Sequence, residues 1–98
     1  MKTFEEVISG NVPSLAVFIN SGETGDNEVN DVIEEIRSKY GERVNVLRVN
    51  GSYDHRLAHQ YDIHTYPTYI LLKEGEELMR ESGKKSVAEL SALIERAF

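Results

Sequence analysis

The sequence predicts an α/β domain with a central mixed sheet of about four strands and helices on both of its faces. Three observations carry that prediction. Strand-like apolar runs alternate with helical patterns through the first sixty residues, a hairpin with a Gly-containing turn follows, and the chain closes on an amphipathic helix that opens with a capping box. Ninety-eight residues suffice for one hydrophobic core and are too few for two, so residues 1–98 are read as a single domain.

Taken in order, Thr3-x-x-Glu6 ahead of Val7 and Ile8 is a capping-box pattern, which predicts a short first helix ending at Gly10. Asn11-Val12-Pro13 breaks it. Leu15-Ala16-Val17-Phe18-Ile19 is a continuous apolar run of strand length, as expected of a strand buried on both faces. Ser21-Gly22-Glu23-Thr24-Gly25-Asp26-Asn27 is rich in loop and cap residues, and Val29, Val32, Ile33 and Ile36 then recur at helical spacing up to Tyr40-Gly41. Val44, Val46, Leu47 and Val49 predict a second strand, which Asn50-Gly51-Ser52 closes. Residues 53–61 carry Leu57 and Ala58 in a short helix, with Ser52 as the expected N-cap. After Pro67, Thr68-Tyr69-Ile70-Leu71-Leu72 and residues 77–81 read as a hairpin around Glu74-Gly75-Glu76. Ser86-x-x-Glu89 is a second capping box, and Val87, Leu90, Leu93, Ile94 and Ala97 form the apolar stripe of the closing helix.

Composition narrows the function classes. Apolar residues make up 40% and charged residues 29%, the balance of a folded globular domain. The longest apolar runs fall far short of the roughly 20 residues of a membrane helix, so no membrane association is expected. Lys2 is followed by Thr3-Phe4-Glu5-Glu6 and not by an apolar leader, so the expected address is cytoplasmic. With 17 acidic against 11 basic residues and a formal charge of -6, the chain lacks the clustered positive surface that nucleic acid requires. There is no cysteine, which excludes disulfides, thiolate metal sites and thiol nucleophiles.

Thr65-Tyr66-Pro67-Thr68, the pattern Tyr61-x-Ile63-x-x-x-Pro67-Thr68, and the turn Leu72-Lys73-Glu74-Gly75-Glu76 resemble the thioredoxin family. So do Ile33-Glu34-Glu35-Ile36 with Lys39-Tyr40, and Arg48-Val49-Asn50. The resemblance spans essentially the whole chain and implies a thioredoxin-like fold. It also implies that Pro67 is cis, turning Thr65 and Tyr66 toward the start of the long helix, where the family holds extended peptides. The family's Cys-x-x-Cys motif falls on Glu23 and Asp26 when counted without gaps from either flank, and Gly22 takes the position of its tryptophan. Val17 stands where the family often keeps a buried Asp. Only a thiolate can form the mixed disulfide, so the dithiol chemistry is absent. The chain also begins too late to supply the family's first strand, which would leave residues 43–49, opening at Arg43 and closing at Val49, as a sheet edge open to pairing with a second copy or a partner.

For the remaining candidates two readings stand side by side. Glu23 and Asp26, at a helix start, are either caps favoured by the helix dipole or a recognition pair for a cationic group in the groove beside Pro67. In the second reading Glu23, Thr24, Gly25, Asp26, Thr65, Tyr66 and Pro67 bind a protein or peptide partner. A rival class is a metal-binding or acid/base enzyme using Glu23, Asp26 and His64. His55 and His59 have the i, i+4 spacing of a metal pair, but without an accompanying HExxH glutamate or cysteine they are expected to face solvent. Tyr53, Tyr61, Tyr66 and Tyr69 are expected to be half-buried anchors. No catalytic residue, metal ligand or cofactor is assigned.

Overall fold

Residues 14–19 are buried without exception, and they form the central strand of the sheet. The computed structural model describes residues 3–20 and 26–98, with Asp26 and Asn27 described in their main chain only. The order is α1 (Phe4–Ile8), β1 (Ser14–Ile19), α2 (Asp26–Tyr40), a 3-10 turn (Gly41–Arg43), β2 (Asn45–Asn50), α3 (His55–Gln60), β3 (Thr68–Lys73), β4 (Glu76–Ser82) and α4 (Val87–Glu95). The sheet order is β2-β1-β3-β4. Strands β1 and β2 are parallel, whereas β3 runs antiparallel to both β1 and β4.

Alternation along β1 divides the core in two. Leu15, Val17 and Ile19 face Val29, Ile33 and Ile36 of α2 and Leu90 and Ile94 of α4, while Ala16 and Phe18 face Ile8 of α1 and Leu57 of α3. Helices therefore cover both faces, as the alternating pattern required. Phe18 is fully buried, and its transfer from water contributes about 1.5–3 kcal/mol. Tyr61 closes the second layer with its ring 5.8 Å from Phe4, edge-on, and 5.9 Å from Phe18.

Both predicted capping boxes form. Thr3 Oγ1 accepts from the Glu6 N–H at 3.2 Å, and Ser86 Oγ accepts from the Glu89 N–H at 3.1 Å while Glu89 Oε1 accepts from the Ser86 N–H at 3.1 Å. The hairpin turns at Glu74 and Gly75, whose φ values of 53° and 80° are the pair of left-handed residues that a tight hairpin requires.

Three expectations need correction. The edge strand starts at Asn45 and not at Arg43, because Gly41 takes a φ of 54° and sends residues 41–43 into a 3-10 turn before Val44 re-enters the core. Asp54, not Ser52, caps α3: its Oδ1 accepts from the Leu57 N–H at 3.0 Å, while the Ser52 N–H donates to Asn50 Oδ1 at 2.9 Å and its hydroxyl bonds Asn20. Tyr53 is 85% exposed and anchors nothing, since the turn that Ser52 and Asn50 build swings it outward, whereas Tyr69 is fully buried.

Candidate functional site

The parallel and antiparallel registers bring three chain segments to one end of the sheet. Ile19 closes β1 beside Asn50, and Phe18 stands opposite Thr68, the first residue of β3. The carboxyl ends of β1 and β2 thus meet the turn that enters β3, the location at which open α/β sheets place their ligands. Ser52 and Asn20 join the first two segments through their side chains, and the Gly51 N–H donates to the Ile19 carbonyl at 2.7 Å.

Tyr66 joins the third segment to the second. A Cβ at Gly51 would lie 2.2 Å from the Tyr66 hydroxyl oxygen, 2.7 Å from Cζ and 2.9 Å from Cε1, so the phenol occupies the space that only glycine leaves open. Half-buried, Tyr66 packs on the core layer of Ala16, Phe18 and Leu57. The Tyr66–Pro67 peptide bond is cis. The carbonyls on either side of Tyr66 are occupied: Thr65 C=O accepts from Thr68 Oγ1 at 2.7 Å, and Pro67 C=O accepts from the Gly83 N–H at 2.9 Å. Among the described residues the main-chain N–H and C=O of Tyr66 have no partner. One donor and one acceptor therefore remain on a half-buried turn whose ring is fixed in place, an arrangement able to pair with an extended main chain.

Of the predicted site residues, Thr65, Tyr66 and Pro67 come together in this turn, while Glu23, Thr24 and Gly25 lie outside the described residues. Asp26 is the first residue of α2, and its side chain also lies outside the description. Val17, in the middle of β1, is fully buried under α2 and carries no ionisable group. Below the turn, burial pushes the Tyr61 phenol above its ordinary range, and the negative charges of Glu5 and Glu77 add to the shift, so the ring is neutral at physiological pH.

Gly51 escaped the sequence reading, in which Asn50-Gly51-Ser52 marked only a strand end. The signal that could have exposed it is a tyrosine immediately before the proline, whose ring needs an unoccupied position on a neighbouring strand. The three histidines are exposed, as expected of His55 and His59, and they also rim one hollow of about 260 Å³ with Gly51, Asp62 and Tyr66. Among the described residues no group of three or more His, Cys, Asp or Glu side chains could hold a metal ion, and no helix is long and apolar enough to cross a membrane.

The thioredoxin family profile matches residues 2–96. The chain is 30% identical to Thioredoxin 1 of Synechococcus elongatus over 74 residues, covering 76% of this chain and 69% of that protein. It is 28% identical to Thioredoxin 1 of Nostoc over 92 residues, covering 94% and 86%. The fold superimposes on Fasciola hepatica thioredoxin with a TM-score of 0.87 at 20% identity, over 96% of this chain and 90% of that one. Sheet order, helix placement, the turn at Pro67 and a profile match over nearly every residue agree, and with no cysteine to carry the usual chemistry the chain belongs to the thioredoxin family as a member without its dithiol.

Proposed function

We propose that this chain is a cytoplasmic, redox-inactive thioredoxin-like module that binds an extended segment of a partner protein in the groove bounded by residues 23–26 and the Thr65-Tyr66-Pro67 turn. The observation that carries the reading is the Tyr66 main chain, whose N–H and C=O have no partner among the described residues while its ring is held over Gly51. An approaching extended chain gains a donor and an acceptor from one residue and an aromatic face beside them. Glu23 and Asp26 then favour a cationic side chain on the partner. Thiol exchange does not enter, because no residue of the chain can form a mixed disulfide.

The test is selection of binding peptides from a displayed library, followed by affinity measurement against variants. Tyr66→Ala is expected to weaken the selected peptides at least tenfold, about 1.4 kcal/mol, and Glu23→Lys to weaken those that carry Lys or Arg. Tyr53→Ala, at an exposed position among the described residues, is the control and should change nothing. Equal affinity for wild type and Tyr66→Ala contradicts the reading.

A second mode is strand pairing along β2 with another copy or a partner, supported by the position of β2 at the sheet edge. Arg37 restrains it: its guanidinium donates to the Val46 carbonyl at 3.2 Å, occupying an edge acceptor.

A further inference from the structure

Strand β3 carries a polar group into the core layer beneath α2. Tyr69 stands opposite Val17 and is 2% exposed, and its buried hydroxyl has no hydrogen-bond partner among the described residues. The Lys85 main chain lies near enough to favour the ionised phenol, but burial outweighs it and raises the pKa above the ordinary value. The hydroxyl therefore keeps its proton and remains a donor without an acceptor, a rare state for a buried polar group.

Tyr69 lines a hollow of about 50 Å³ together with Glu28, Val29, Val32, Lys84 and Lys85. Helix α2 supplies Glu28, Val29 and Val32 from one face of its first two turns. The opposite rim follows from the end of β4. Gly83, at a φ of 88°, donates its N–H to the Pro67 carbonyl at 2.9 Å, and the next residue, Lys84, reaches back to α2 with its Nζ 3.3 Å from Glu28 Oε2. Lys85, half-buried just before the Ser86 cap of α4, forms no ion pair among the described residues. The acidic groups around it are engaged: Glu28 by Lys84, and Glu89 by the Ser86 N–H, which donates to its Oε1 at 3.1 Å.

The hollow thus gathers a buried O–H and an ammonium without a counter-ion, while its one carboxylate is already held at the rim. Its volume of about 50 Å³ admits a group little larger than one or two water molecules, at about 30 Å³ each. A planar carboxylate meets both conditions, because it only accepts and is paired most strongly by a charged donor. We propose that Tyr69 and Lys85 bind one carboxylate group in this hollow, with the Glu28 and Lys84 pair as its outer wall. The group comes from a free small acid or from an aspartate or glutamate of a bound segment. Binding here needs no main-chain pairing with Tyr66, so the site stands or falls apart from the peptide groove.

The experiment has two arms. In the first, the nitrogen-15 labelled chain is titrated at pH 7 with sodium acetate, and with sodium chloride at the same ionic strength. Acetate and not chloride should give saturable shifts of the Tyr69, Lys84 and Lys85 amides, and Tyr69→Phe and Lys85→Gln should each weaken the response about fivefold or more. In the second, display-selected peptides that carry Asp or Glu are compared with their Asn or Gln counterparts. A preference for the acid that disappears in Lys85→Gln and persists, at lower affinity, in Tyr66→Ala supports the site and assigns the carboxylate to a bound segment. An acetate response without any peptide preference supports it and assigns the carboxylate to a free acid. Because the hydroxyl has no partner in the free chain, Tyr69→Phe should melt no lower than wild type. Silence in both arms, responses undiminished in Tyr69→Phe and Lys85→Gln, or a Tyr69→Phe protein that melts well below wild type overturns the carboxylate site.

Discussion

Replacing Gly51 by alanine tests the geometry on which the Tyr66 turn depends. The added methyl carbon would meet three Tyr66 atoms at 2.2, 2.7 and 2.9 Å, where ordinary contact lies at 3.4–4 Å. The ring must therefore withdraw by more than 1 Å from its closest contact. Overfilling a packed position costs about 1–3 kcal/mol. The alanine recovers about 0.4–1 kcal/mol by restricting the unfolded chain, and rotation of the phenol relieves part of the clash, so a net loss of about 1 kcal/mol is expected. For a domain of this size that lowers the melting temperature by about 4–8 °C. The assay is urea denaturation of wild type, Gly51→Ala, Tyr66→Ala and the double variant. With the ring removed the methyl has nothing to strike, so the double variant should be no less stable than Tyr66→Ala alone. The two changes then couple by about 1 kcal/mol. Additive effects, or a Gly51→Ala protein as stable as wild type, would refute the close approach of Tyr66 to Gly51.

Further expectations concern the rest of the scaffold. The purified chain should reduce insulin no faster than buffer with dithiothreitol alone, and turnover above that background contradicts the absence of thiol chemistry. Ser86→Ala should cost about 1 kcal/mol by removing the cap of α4, read as a lower urea midpoint with an unchanged slope. Glu89, held below the usual carboxylate range by its hydrogen bonds to Ser86, adds stability that is complete above the unfolded-state value near 4.3 and fades as the pH falls below it. Wild type should therefore lose stability relative to Glu89→Gln in that acid window, and a pH-independent difference contradicts the bond. Val17→Asp places a carboxyl at a fully buried position under α2, which should cost several kcal/mol at pH 7. Burial raises that group's folded-state pKa, so the variant should regain stability as the pH falls through the raised value, and a pH-independent loss would point to packing alone.

The fold was legible wherever local chemistry dictated it. Thr3 with Glu6 and Ser86 with Glu89 announce their helix starts because the capping partners lie within one turn of each other. The run Leu15 to Ile19 announces a central strand because both of its faces are covered. Errors arose where a neighbouring segment decided the outcome. Ser52 and Asp54 are equally suited to cap α3, and the choice falls to Asp54 because Asn20, thirty-two residues upstream of Ser52, engages the Ser52 hydroxyl. The edge strand was extended to Arg43 because branched residues dominate the local pattern, while the left-handed Gly41 governs the first three positions.

The site was legible in part for the same reason. The tripeptide Thr65-Tyr66-Pro67 marks a turn in one dimension, but the pairing of Tyr66 with Gly51 spans fifteen residues and follows from β2 and β3 flanking β1. The i, i+4 spacing of His55 and His59 was visible, whereas the hollow whose rim they share with His64 follows the reversal at Asp62, a left-handed residue that is not glycine.

The central claim is that the groove at the end of the sheet retains binding after the loss of its thiols. Nitrogen-15 chemical-shift mapping of the chain with a peptide selected for affinity tests it most directly. The account predicts that the largest shifts fall on the amides of Asn20, Gly51, Ser52, Tyr66 and Thr68, with Tyr66 moving downfield as its N–H gains an acceptor. Shifts confined to the β2 edge or to α4, with Tyr66 unmoved at saturation, would contradict it.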